Sequence, residues 1–177
     1  AGLYDVTVTD SKGCTVSQLG IEVNNIITIP LIGTVTTTNV DGCFGDCTGV
    51  IASSVLSVTE GTLTIVLSGP SNSTQTLDSS GPFSFDGLCA GIYSITVTDI
   101  NNATDIQVDI EINEPSDLDA TVSTGDDNNN CDGFIDVVAS GGTGFYTYQW
   151  VNQDWDTPSV SNLCAGSYDL VITDDNG

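Results

Sequence analysis

The chain of 177 residues carries 24 acidic side chains against one lysine, Lys12, and no histidine, for a formal charge of −23. That charge repels nucleic acid and anionic membrane, and the lack of histidine and arginine removes the usual general bases and the oxyanion and phosphate clamps of enzymes. An apolar fraction of 39% in regular alternation argues for a folded sheet protein despite the acidity, and no run reaches the roughly 18 apolar residues of a membrane span.

The chain opens on Ala1-Gly2-Leu3-Tyr4-Asp5-Val6-Thr7-Val8-Thr9-Asp10. The tyrosine and the apolar residues two and four further on share one face of a period-2 pattern, the signal of a half-buried strand. The stretch returns from Ala90 to Asp99 and from Ala165 to Asp174, at offsets of 90 − 1 = 89 and 165 − 90 = 75 residues, and both later copies follow a Leu-Cys pair. Each repeat has the size of a small domain, so the chain is an array.

After the first motif come a turn at 10–13 and a second alternating run with Ser17, Leu19, Ile21 and Val23 on one side, which together predict a hairpin. The same succession follows the second motif, where Ile106, Val108, Ile110 and Ile112 alternate. Repeat boundaries are expected just after Asn24 and Asn113, near Pro30 and Pro115, because proline removes a ladder donor. Residues 1–24 are then the last two strands of a preceding repeat, 25–113 a complete repeat, and 114–177 a second repeat lacking its final strand. Because the chain opens inside one copy of the motif and closes inside another, we expect a longer fibre continuous through both ends, with a cysteine directly before Ala1.

In the complete repeat, strands are expected near 31–38, 48–57, 61–68, 73–78, 82–87, 91–99 and 104–112. In the second they are expected near 117–123, 133–140, 144–151, 157–162 and 166–174. Matching Gly61–Leu67 to Gly144–Trp150 places Leu63, Ile65 and Leu67 in one core and Tyr146, Tyr148 and Trp150 in the other. Short strands, Gly/Ser/Asn turns and no amphipathic helix pattern indicate an all-β chain. Its fold class is a tandem array of immunoglobulin- or fibronectin-like β-sandwiches.

Six cysteines without a metal-type Cys-x-x-Cys pair read as a disulfide framework in an oxidising compartment. Cys47 and Cys131 hold matching positions before the second strand, and Cys89 and Cys164 hold matching positions before the motif strand, which pairs Cys47 with Cys89 and Cys131 with Cys164. Cys14 and Cys43 have the equivalents Ala103 and Asp127, so both partners vanish together, and that joint absence supports a Cys14–Cys43 bridge.

The densest polar run is Asp126 to Gly133, followed by Asp136. Asn128, Asn130, Asp132, Gly133 and Asp136 fall at positions 1, 3, 5, 6 and 9 of the EF-hand spacing, making the first three and Asp136 the candidate calcium ligands. Ala139 stands where the bidentate glutamate belongs and no helices flank the run, so the competing reading is a solvated inter-strand turn. Tyr146, Tyr148 and Trp150 could stack on a sugar but alternate as a core face does. Trp155, in the loop 152–156, has no apolar counterpart in the first repeat and is the candidate surface contact.

With Cys131-Asp132-Gly133-Phe134-Ile135-Asp136, then Ser140-Gly141-Gly142-Thr143-Gly144-Phe145-Tyr146-Thr147-Tyr148-Gln149-Trp150, then Leu163-Cys164-Ala165-Gly166-Ser167-Tyr168 leading to Asp174-Asp175-Asn176-Gly177, the second repeat resembles the SprB repeat of giant cell-surface adhesins of gliding Bacteroidota. The resemblance implies an extracellular fibrous protein, attached to the outer membrane or released and exported by the type IX route; the residue types themselves lead us to expect no enzyme. Its expected partners are neighbouring repeats of the same chain or filament and extracellular polysaccharide or other surfaces. The rival expectation is that each repeat is itself a glycan- or protein-binding module, or an accessory domain of a large secreted hydrolase.

Overall fold

The structure, a computed structural model, describes residues 2–24, 29–56 and 61–177. Ala1 of the first motif, the expected linker at 25–28 and the last residue of the strand expected over 48–57 lie outside the described residues. Among the described residues every named element is a strand.

The first two strands, β1 (Gly2–Thr9) and β2 (Thr15–Val23), pair antiparallel as a free-standing hairpin. The first full unit follows with β3 (Thr36–Thr38), β4 (Gly49–Ser54), β5 (Leu63–Ser68), β6 (Ser73–Leu77), β7 (Pro82–Leu88), β8 (Gly91–Thr98) and β9 (Thr104–Ile112). These strands form a three-stranded sheet, β3-β4-β7, and a four-stranded sheet, β6-β5-β8-β9. In the constant-type immunoglobulin arrangement the fourth strand borders the first sheet; here β6 borders β5, the fibronectin-like alternative.

Period-2 alternation explains why the two sheets meet. Along β5 the residues Leu63, Ile65 and Leu67 are fully buried while Thr64 and Val66 are only partly covered. Phe83 and Phe85 of β7 and Tyr93, Ile95 and Val97 of β8 bury the same inner layer. Each such side chain contributes roughly 1.5–3 kcal/mol relative to exposure.

The second unit holds β10 (Ser116–Gly125), β11 (Gly133–Gly142), β12 (Thr147–Trp150), β13 (Ser159–Leu163) and β14 (Leu170–Thr173), arranged as a β10-β11-β13 sheet and a β12-β14 pair. Thr64 pairs with Thr98 and Ile65 with Val97, as Thr147 pairs with Thr173 and Tyr148 with Ile172. The two units therefore share one register across their middle strands. Trp150 is buried, and Tyr148 packs against the core of Val137, Val160 and Leu163. Tyr146 is half-buried and donates its hydroxyl to the Gly141 carbonyl at 2.6 Å.

The hairpin β1–β2 and the pair β8–β9 share the same register, residue for residue, at the offset of 89. Tyr4 opposes Ile21 and Val6 opposes Gln18; Tyr93 opposes Ile110 and Ile95 opposes Gln107. Both have a bulge at that step, with the left-handed position taken by Gly20 (φ 69°) in one and Asp109 (φ 56°) in the other. The bulge corrects the single alternating face expected over β9. Ile110 and Ile112 are buried, but beyond the extra residue Ile106 and Val108 turn outward, 56% and 52% exposed. Asp105 turns inward instead and accepts the Ile32 N–H at 2.8 Å, tying β9 to the chain that leads into β3.

The chain exposes 11308 Å², against about 8,100 Å² for a compact protein of its mass. Part of the excess is the bare face of the hairpin, where Tyr4, Val6 and Val8 are 53%, 48% and 60% exposed while their equivalents Tyr93, Ile95 and Val97 are buried.

Candidate functional site

The geometry repeated between the units lies at the two ends of each. At one end sits the Cys-Ala-Gly-x-Tyr motif. Cys47 is bonded to Cys89 and Cys131 to Cys164, each bridge joining the loop before the second strand to the loop before the motif strand. Four residues after the cysteine, the tyrosine hydroxyl returns to its carbonyl: Tyr93 to Cys89 at 2.8 Å and Tyr168 to Cys164 at 2.9 Å.

At the other end sits the Asp-x-x-Gly or Asp-x-Asn turn. Asp10 Oδ1 accepts the N–H groups of Lys12 and Cys14 at 2.8 and 2.9 Å. Asp99 Oδ1 accepts those of Asn101 and Ala103, both at 2.8 Å, and Asp174 Oδ1 accepts those of Asn176 and Gly177 at 3.0 and 3.2 Å. The bond from Cys14 and then that from Lys12 hold the Asp10 carboxyl below its ordinary value. The Thr143 N–H does most of the same for Asp174, donating to Oδ2 at 2.7 Å. These aspartates are turn acceptors. Asp99 is buried, and its Oδ2 has no partner among the described residues.

The acidic run 126–133 is built around Asp127, which by sequence is only the counterpart of Cys43. Its Oδ1 accepts the N–H groups of Asn130 and Cys131 at 2.9 and 2.8 Å, and its Oδ2 accepts that of Ala165 at 3.1 Å. Burial pushes the Asp127 carboxyl up, but the N–H groups of Ala165, Asn130, Cys131 and Asp132 outweigh it and hold the pKa low. A single side chain thus fastens the loop to the motif strand. The signal for it was available in the Asp-x-x-Asn spacing of an Asx turn.

Of the four expected calcium ligands, Asn128, Asn130 and Asp132 lie together in one loop and bond to one another, while Asp136 stands outside it. Asp132 Oδ1 accepts the Asn128 N–H at 2.7 Å, and Asn130 uses its side-chain amide on the Asn128 carbonyl. Asp136 lies inside β11, bonded to the Ser159 hydroxyl. Among the described residues no group of three or more His, Cys, Asp or Glu side chains converges to hold a metal ion. The carboxylates of Asp127 and Asp132 accept amide N–H groups of the loop itself, as the turn alternative expects.

Trp155 is half-buried. Its ring lies edge-on to Trp150 and tilted against Tyr168, with centroids 6.2 Å apart in both pairs. Trp150 Nε1 donates to the Thr157 carbonyl at 2.9 Å, which closes the loop carrying Trp155 over the core. Beside Tyr168 opens a cavity of about 480 Å³ lined by Phe134, Leu163, Cys164 and Gly133. In the first unit the corresponding space above Gly49 is filled by Ile112, close enough that a side chain at Gly49 would touch it.

The expected Cys14–Cys43 bridge is absent; both thiols are free and exposed. The reason lies in strand direction. Cys14 is in the turn end of its hairpin, and the nine residues of β2 carry the chain roughly 30 Å away at about 3.3 Å per residue before the next unit begins. Cys43 lies at the far end of that next unit, in a loop whose amides are held by Asp46 and Glu114.

That loop forms the joint between the two units. Asn176 Nδ2 donates to the carbonyls of Asp41 and Gly42, at 2.9 Å each, and Val40 and Asn113 are hydrogen-bonded across the start of the linker. Curated proteins yield no match to this chain. Residues 128–154, which run from the Asp127 loop through β11 and β12 to the turn before Trp155, match the family model of the SprB repeat.

Proposed function

We propose that the chain is a spacer segment of a long extracellular adhesin or cell-surface filament, one that acts in surface attachment or gliding by holding sandwich units end to end. The observation that carries this reading is the equivalence of β1–β2 and β8–β9. Two hairpins 89 residues apart share register, bulge and capping aspartate, as expected when one unit is stacked many times. The SprB repeat match in the next unit supports the cell-surface assignment.

Its partners on this reading are the neighbouring units, and its acidity is a solvated surface that keeps extended chains apart. Histidine, the commonest general base, is absent from the chain, which leaves carboxylates as its candidate bases at neutral pH. The disulfides fit an oxidising, extracellular setting. Glycan recognition by Trp155 is the rival, and the packing of its ring on Trp150 and Tyr168 speaks for a structural role.

A glycan-array screen of the whole chain tests the reading. The spacer account expects no specific binding; specific binding abolished by Trp155→Ala would replace it with a recognition module.

A further inference from the structure

We propose that Cys43 is one half of a disulfide between consecutive units, and that its partner is the cysteine directly following an Asp-x-x-Gly turn, the position Cys14 holds in the first hairpin. The turns Asp10-Ser11-Lys12-Gly13 and Asp174-Asp175-Asn176-Gly177 are the same element. Each begins where its motif strand ends, and in each the first aspartate caps the following amides through Oδ1. In the first turn the next residue is Cys14, whose N–H goes to the Asp10 carboxylate and whose carbonyl accepts the Asp10 N–H at 2.9 Å. The turn thus fixes the position of the residue that follows it.

The second turn shows where such a residue lands. Asn176 is hydrogen-bonded to the carbonyls of Asp41 and Gly42, the two residues before Cys43, and Gly177 shares a cavity of about 260 Å³ with Cys43 and Phe44. A cysteine following the turn stands against Cys43, across the joint. The same placement explains why Cys14 and Cys43 of one chain do not meet: each is half of a joint, at opposite ends of the segment.

In the bond-forming step the thiols of Cys43 and its partner together lose two electrons and two protons to an oxidised low-molecular-weight disulfide such as oxidised glutathione. That disulfide is reduced to two thiols by way of a mixed disulfide. The proposal rests on the reading of the chain as end-to-end units. An array held by the Asn176 contact alone would survive its failure.

The test uses the whole chain carrying Cys14→Ala and one cysteine added directly after Gly177, oxidised in a glutathione buffer and mapped by non-reducing peptide mass analysis. The expected result is a monomer in which Cys43 is bonded to the added cysteine. The intact Cys47–Cys89 and Cys131–Cys164 peptides in the same map report that both units are folded. The bridge should form at least roughly tenfold faster than any bridge from Cys43 to a Ser79→Cys control, because only the first thiol is held at the joint. Asn176→Ala should slow it several-fold. A folded chain whose added cysteine stays free, or bridges no faster than the control, overturns the proposal.

Discussion

The hydroxyl of Tyr93 donates to the carbonyl of Cys89 at 2.8 Å, and the disulfide from that same cysteine reaches Cys47. One residue therefore anchors both the side chain of its own strand and the loop of the facing sheet. Tyr168, Cys164 and Cys131 repeat the arrangement in the second unit. Removing the hydroxyl leaves a carbonyl without its donor at small cost in packing, so Tyr93→Phe should destabilise its unit by about 1–3 kcal/mol, and Tyr168→Phe, half-exposed, by about 1 kcal/mol. Thermal unfolding checks this, with an expected decrease of about 4–8 °C per kcal/mol for units of this size.

Acid should loosen the Asp127 loop before the sheets. A carboxyl whose folded pKa lies below its unfolded value of 3.8 adds stability that is present above pH 3.8 and is lost as pH falls through the lower folded value. Asp10 and Asp174 share that sign. Protection of the Asn130, Cys131 and Ala165 amides, relative to their intrinsic exchange rates, should fall below pH 3.8. In Asp127→Asn, which keeps one acceptor oxygen where two served, exchange should already be fast at pH 6 and show no such acid step.

Asp109 occupies the left-handed position that glycine holds in the equivalent hairpin, Gly20. Asp109→Gly should therefore be neutral to stabilising by about 0.5–1 kcal/mol, a reversal of the usual penalty for glycine in a strand. Urea titration at neutral pH measures it, and a loss of more than about 1 kcal/mol would show that the Asp109 side chain makes a contact of its own.

The same position marks the limit of what sequence alone can show. Alternation along 61–68 and 91–98 reads directly as buried Leu63, Ile65, Leu67, Tyr93, Ile95 and Val97, because nothing interrupts the pleat there. Along 104–112 the apolar residues also alternate, yet one extra residue at the bulge sends Ile106 and Val108 outward and Asp105 inward. Period-2 reasoning cannot see an insertion that leaves the period intact on either side. The cysteine pairs were legible by repeat equivalence for 47–89 and 131–164. For Cys14 and Cys43, equivalence identified two related positions without showing that strand direction sets them a unit apart. Asp127 was hidden because its partners lie both within its own loop and across the sheet at Ala165.

Each intra-unit bridge closes a loop of 42 or 33 residues, worth about 4 kcal/mol by loop-closure entropy. The second unit has the smaller buried core, with Val137, Trp150, Val160 and Leu163 at its centre. The double variant Cys131→Ala/Cys164→Ala should therefore unfold its unit at 37 °C and leave the first unit's transition in place. Tryptophan fluorescence isolates the affected unit, since both tryptophans, Trp150 and Trp155, are in it.

The account turns on sandwich units standing end to end, and small-angle scattering of the whole chain in moderate salt measures that directly. Strands of nine or ten residues make each unit roughly 30–35 Å long at about 3.3 Å per residue. Two units and the leading hairpin should then give a radius of gyration above about 22 Å, unchanged on dilution. A value near 16 Å, that of a compact globule of 177 residues, would contradict the end-to-end fibre.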